Sequence, residues 1–294
     1  MERPPVAPVN RRPRRPAPWP VEFYRSAVGK KWVMALTGIA LMAYVFAHMF
    51  GNLKLYFGAE DFNHYSEFLR DLLVPLLPRT WTLWLLRIGL IVAFVFHIHA
   101  AASLTLMNRR AHAEGRYVSP RDWQAANAAS RSMRWTGVVI LLFLIWHLAD
   151  LTWGPVNPDF VRGDVYRNLV ASFERPWSSA IYIVANVALG LHLFHGAWSM
   201  FQSLGLNNPK WNSWRRGFAA TFAGVVMLGN LSFPIAVLAG AVDADDNPDC
   251  RVSGDTIETC ELYEEPEREA EQGLGRGPSG PLAEPARAES MWSR

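Results

Sequence analysis

Residues 81–107 read WTLWLLRIGLIVAFVFHIHAAASLTLM, a run of 27 residues that holds one charge, Arg87, and two histidines, His97 and His99. A helix needs roughly 20 mostly apolar residues to cross the hydrocarbon core of a bilayer, and this run meets that length. Working outward, residues 32–53, 135–153, 180–204 and 218–242 have the same character, and the connections between them are too short for separate folded domains. Half of the 294 residues are hydrophobic and 13 are Trp, gathered in blocks rather than dispersed as in a soluble chain. The expected fold class is all-α, an integral membrane five-helix transmembrane bundle with disordered termini. Residues 1–22, rich in Pro and Arg, form a disordered basic segment, 23–242 the membrane domain, and 243–294 a disordered acidic tail.

Orientation follows from Lys and Arg, which are retained on the cytoplasmic side during insertion. Eight precede the first run, six lie between the second and third, and three between the fourth and fifth, whereas the two remaining loops hold three each. The N-terminus is therefore expected in the cytoplasm and, after five crossings, the C-terminus outside. The basic stretch at residues 11–16 is not followed by a small-residue cleavage site, so a cleaved signal peptide is not expected, and the segment is suited to touching anionic membrane lipid. Cys250 and Cys260 in the tail are as compatible with a disulfide as with two thiols, and they lack zinc spacing. No phosphate-binding Gly-rich loop, no Ser-His-Asp order and no internal repeat is read, and no nucleic-acid partner is expected.

Chemistry is then expected in the helices, where polar groups are expensive and mark functional paths. Six of eight histidines fall there: His48, His97, His99, His147, His192 and His195. His64 and His112 fall in loops. At about 1.5 Å rise per residue, His48 and His147 lie roughly 8 and 9 Å from the outer ends of the first and third helices. His97 and His192 lie roughly 15 and 18 Å from the inner ends of the second and fourth. Two pairs at two depths, on alternate helices, suit two bis-histidine haems stacked across the membrane. A proton relay would mix Asp and Glu with His, and the expectation is of spans free of carboxylates with Arg87 as their one charge. Zinc would require a tighter cluster with Cys or carboxylate partners. His97 and His99 lie roughly 200° apart around the helix, so one of them points elsewhere, while His192 and His195 share a broad face. Spacing leaves both choices open.

The run Gly29-Lys30-Lys31-Trp32-Val33-Met34-Ala35-Leu36-Thr37-Gly38, with His48-Met49-Phe50-Gly51-Asn52-Leu53, resembles the first helix of the cytochrome b558 subunit of succinate dehydrogenase and related fumarate reductases. Residues 191–205, LHLFHGAWSMFQSLG, are similar to that family's fourth helix, and Trp146-His147 and His97 with Leu106-Met107-Asn108-Arg109-Arg110 add to the likeness. It spans about residues 26–242. The resemblance implies a membrane anchor in a bacterial cytoplasmic membrane that is not itself catalytic for succinate. It would carry two haems b, dock a flavoprotein subunit and an iron–sulfur subunit on its cytoplasmic side, and exchange electrons with a quinone, menaquinone by likeness to the five-helix members. Carried over by position, it implies His97 and His192 as ligands of the inner haem and His48 and His147 of the outer, with His99 and His195 as the alternates. A haem-free, quinone-binding anchor of the same complex is the competing reading.

Weaker candidates remain. Arg87 is expected to meet a haem propionate or a quinone oxygen, or else to snorkel to the interface. Glu67 and His64 are candidates for proton exchange with a quinone, against a solvated loop as the plain alternative. Gly38, Gly89, Gly190 and Gly196 suit either flat porphyrin rings or close helix packing. A transporter would require matched broken helices, which only Pro234 approaches.

Overall fold

A computed structural model of the chain describes residues 17–111, 128–206, 208–243, 250–253 and 256–260. His112, most of the basic N-terminal segment and most of the acidic tail lie outside these residues. The chain divides into two units, residues 1–248 and 249–294. In the first, α1 (Trp19–Arg25) leads into α2 (Ala27–Asn52), which continues as a 3-10 turn over Leu53–Phe57 into α3 (Ala59–Arg70). Then come α4 (Trp81–Ala111), α5 (Ala128–Leu148) with a π-helical end over Ala149–Trp153, α6 (Val165–Glu174), α7 (Pro176–Ser203) and α8 (Asn212–Leu238).

Five of these helices are long and apolar enough to cross a membrane, as the sequence predicts. Their outward side chains give the physical reason. Leu85, Leu86, Leu142, Val184 and Leu228 are each more than half exposed. Leaving such a side chain in water forgoes about 1.5–3 kcal/mol of burial, so lipid must cover this face. α7 lies at the centre of the bundle, packed on α8, α5 and α2, and α2 packs in turn on α4.

Local signals set the helix boundaries. The Ser26 hydroxyl accepts the Gly29 N–H at 2.9 Å and starts α2. Lys30 turns its ammonium back on the carbonyls of Tyr24 and Arg25, at 2.9 and 3.1 Å, closing the end of α1. Gly58, at φ 97°, turns the chain from the 3-10 segment into α3, a conformation that a side chain would strain. The Asp164 carboxylate accepts the Arg167 N–H at 2.9 Å and starts α6. Pro176 opens α7, where its missing N–H costs nothing.

The short helices α3 and α6 are not foreseen by the span pattern, because neither is long enough to cross. They pack over the end of the bundle reached by α2 and α5. There Leu55, Ala59, Phe62, Tyr166, Leu169, Val170 and Phe173 form a core with Met49, Tyr182, Phe233 and Val237 of the spanning helices. Asn63 ties the two together, donating to the Asp164 carboxylate at 3.1 Å and accepting the Tyr166 N–H at 3.1 Å.

Two observations modify the reading of the termini. α1 begins within residues 1–22, at Trp19. In the second unit, Cys250–Ser253 and Thr256–Cys260 form an antiparallel pair, β1 and β2, whose register sets Cys250 opposite Cys260.

Candidate functional site

The four histidines that depth places in two pairs meet as two pairs. α2 and α5 bring His48 and His147 to 5.9 Å between ring centroids, with the ring planes 86° apart. α4 and α7 bring His97 and His192 to 6.5 Å, with the planes 61° apart. A metal–imidazole bond is about 2 Å long, and each nitrogen lies about 1 Å from its ring centre, so two imidazoles on opposite sides of one ion stand about 6 Å apart. Both pairs have this spacing. Among the described residues no three of His, Cys, Asp and Glu gather into a compact metal cluster. Two protein nitrogens per site suit a planar cofactor that brings its own remaining ligands, and the donor set therefore fits haem.

The hydrogen bonds to the rings are ordered as well. Nδ1 of His97 lies 3.2 Å from Oγ1 of Thr37, and Nδ1 of His192 lies 3.2 Å from Oγ1 of Thr136. Nδ1 of His147 lies 3.3 Å from the Tyr182 hydroxyl. In these three rings Nε2 is the nitrogen left for a ligand bond. His48 differs: it stacks on Tyr44, and its Nε2 faces the Asn52 amide nitrogen at 3.4 Å. Backbone approaches the His97–His192 pair, closely at Gly38 and at ordinary contact distance at Gly137. A Cβ at Gly38 would stand 3.3 Å from Cε1 of His97, and one at Gly137 would stand 3.7 Å from Cε1 of His192.

The alternates are placed elsewhere. His99 is exposed and turned to α1, where the Tyr24 hydroxyl meets its Nδ1 at 2.5 Å and the two rings stack. His195 packs edge-on against Trp198 rather than against another histidine. Three buried polar atoms on α5 and α7, Nε1 of Trp146, Nδ1 of His195 and Nε1 of Trp198, have no hydrogen-bond partner among the described residues. Buried groups of this kind ordinarily have one, so a bound group or water with acceptor atoms fits beside them.

The expectation of carboxylate-free spans is wrong at Asp150. This residue falls within 135–153, in the π-helical end of α5, and is fully buried. Its Oδ1 accepts from Arg175 at 2.8 Å. Its Oδ2 accepts from the Tyr182 hydroxyl at 2.9 Å and from Ser172. Arg175 also donates to the Val156 carbonyl at 2.9 Å and covers Trp177. A charge this deep persists because it is paired and fully hydrogen-bonded. The network continues through Tyr182 to His147, so the His48–His147 pair is backed by an anion and the His97–His192 pair by neutral hydroxyls. Arg87, accordingly, is not the one charge in the spans. It is exposed, with its guanidinium 5.1 Å from the Trp84 ring.

Glu67 is engaged by Arg70 and, at 2.6 Å, by Arg79, and His64 is exposed. Gly190 packs against Met227 of α8, whereas a side chain at Gly89 or Gly196 would meet nothing within 4 Å. Thr37, Thr136, Tyr182, Asp150 and Arg175 are absent from the sequence-based candidates. Asp150 could have been found as an ionisable residue inside an apolar run. Tyr182 carried no such signal, since hydroxyls are common in membrane helices.

Fold and site together define a polytopic helical-bundle membrane protein with two facing histidine pairs at different depths. Residues 108–231 match the family model described as succinate dehydrogenase/fumarate reductase transmembrane subunit. The matched stretch includes His147 and His192, and excludes His48 and His97. Neither the curated proteins nor the solved structures contain a match to the chain.

Proposed function

We propose that this chain is the membrane anchor and dihaem cytochrome b subunit of a succinate:quinone oxidoreductase. It would relay electrons between an iron–sulfur partner and menaquinone in a bacterial cytoplasmic membrane. The observation that carries the reading is the pair of histidine pairs, each at a spacing that fits one iron, and the family match supports it. The haem irons, when bound, supply one-electron redox chemistry.

The chain's own residues hold and insulate those centres. His97 and His192 would bind the haem nearer the cytoplasm, and His48 and His147 the haem nearer the outside. Thr37, Thr136 and Tyr182 orient three of the four rings. The apolar walls of α2, α4, α5 and α7 exclude water, which with axial ligation sets the potential of a buried centre. On the charge distribution, the ends of α4 and α5 that carry Arg109, Arg110 and Arg134 face the cytoplasm. That side would dock the flavoprotein and iron–sulfur subunits that oxidise succinate or, in reverse, reduce fumarate.

The test is a reduced-minus-oxidised optical spectrum of the purified, haem-supplied complex, with haem quantified per chain. Two b-type haems are expected. A spectrum without b-type absorption would leave a haem-free anchor in place of this proposal.

A further inference from the structure

We infer that Thr37 and Thr136 are positioning residues that fix the tautomer of His97 and His192, each within a repeated element, Thr-Gly followed by His eleven residues after the threonine, in α2 and α5. The inference rests on the dihaem reading above. The element occurs as Thr37-Gly38 with His48 and as Thr136-Gly137 with His147, so the expectation of no internal repeat is corrected at this point.

A threonine hydroxyl has a single proton, and in both helices the local backbone takes it. Oγ1 of Thr37 donates to the Val33 carbonyl at 2.7 Å. Oγ1 of Thr136 is 3.1 Å from the carbonyls of both Ser132 and Met133. Toward the facing histidine each oxygen has only lone pairs to offer. The contact at 3.2 Å is then a bond donated by Nδ1–H, which places the proton on Nδ1 and the lone pair on Nε2. That is the tautomer a metal ligand requires, and the accepted hydrogen bond raises the donor strength of the ring.

The spacing of the repeat has a geometric reason. Eleven residues at about 100° each return to within roughly 20° of the same direction, and they advance about 16 Å along the axis. One face of α2 therefore supplies Thr37 to the pair at one depth and His48 to the pair at the other. One face of α5 does the same with Thr136 and His147. The glycine after Thr37 lets the backbone approach the ring, since the Cβ it lacks would fall 3.3 Å from His97, whereas a Cβ at Gly137 would stand at an ordinary 3.7 Å from His192. Each of these helices thus serves both sites, as a ligand at one and as a hydrogen-bond acceptor at the other.

The test uses the assembled complex with Thr37→Val, Thr136→Val and the serine variants of both. The haem lost in His97→Ala identifies the one held by the His97–His192 pair. For that haem the valine variants should give a more positive midpoint potential, an altered low-spin electron paramagnetic resonance signal and about tenfold weaker retention, the low end of outer-shell effects. The serine variants should restore all three, and the haem of His48 and His147 should not move. Where a valine variant fails to accumulate, Thr→Ala removes the hydroxyl with less bulk and should behave as valine would. Two haems in the wild type with unmoved valine or alanine variants, or serine variants that fail to restore the signal, overturn this inference alone. A wild type without b-type haem overturns the dihaem reading and this inference with it.

Discussion

Replacing Asp150 with Asn tests whether the buried anion organises the end of the bundle around His147. In the wild type the carboxylate is fully buried, 2.8 Å from an Arg175 nitrogen, and accepts hydroxyl protons from Tyr182 and Ser172. At an effective dielectric constant of about 20, unit charges some 4 Å apart attract by about 4 kcal/mol. Removing one partner of a buried pair costs about 3–5 kcal/mol, since the other charge is left uncompensated. The Arg175 side chain is 18% exposed and recovers some hydration, which puts Asp150→Asn near the low end, about 3 kcal/mol. For a domain of this size that is roughly 6–12 °C in melting temperature. The assay is thermal unfolding of the detergent-solubilised complex followed by tryptophan fluorescence, for which Trp146 and Trp177, 5.4 Å apart beside the network, are native reporters. Arg175→Gln alone should cost a similar amount, and the double variant less than the sum. Single variants that melt within about 2 °C of wild type, or a cycle additive within about 0.5 kcal/mol, would refute the argument.

Two further outcomes follow from the same geometry. Gly38→Ala should displace the His97 ring and change the spectrum of the His97–His192 pair, because the added methyl would sit at 3.3 Å, whereas Gly137→Ala, at an ordinary 3.7 Å, should leave the His192 signal within error; equal responses would show that backbone approach does not position these rings. His97→Ala should remove one haem, while His99→Ala, which loses an exposed bond and a ring stack on Tyr24, should retain both and cost no more than about 2 kcal/mol; haem quantification decides between them, and a haem lost only in His99→Ala reverses the ligand choice.

Much of the site was legible in one dimension because a membrane helix is a ruler. A rise of about 1.5 Å per residue turns sequence position into depth, so His48 and His147, and His97 and His192, could be paired before any packing was known. Rotation about the helix axis is harder to read. Nearly every face of α4 is apolar, so no polar stripe told whether His97 or His99 faced the bundle, and packing against α1 and α7 decided it. The burial of Asp150 is hidden from the sequence for a different reason. It stands one turn from the end of its run, where a carboxylate is ordinarily solvated, and it is enclosed only because α6 and the start of α7 bring Ser172, Arg175 and Tyr182 onto it.

The five spans and the order of the histidines along them were determined by the sequence, since hydrophobic length and helical rise are local properties of the chain. Which nitrogen of each ring is bonded, which helix faces stand 3.2 Å apart and which buried charge has its counter-ion were decided by tertiary structure alone. Thr37 and His97 are 60 residues apart, and Asp150 and Arg175 are 25, and no local rule connects them. Directional hydrogen bonds form only after packing has fixed the rotation of one helix against another.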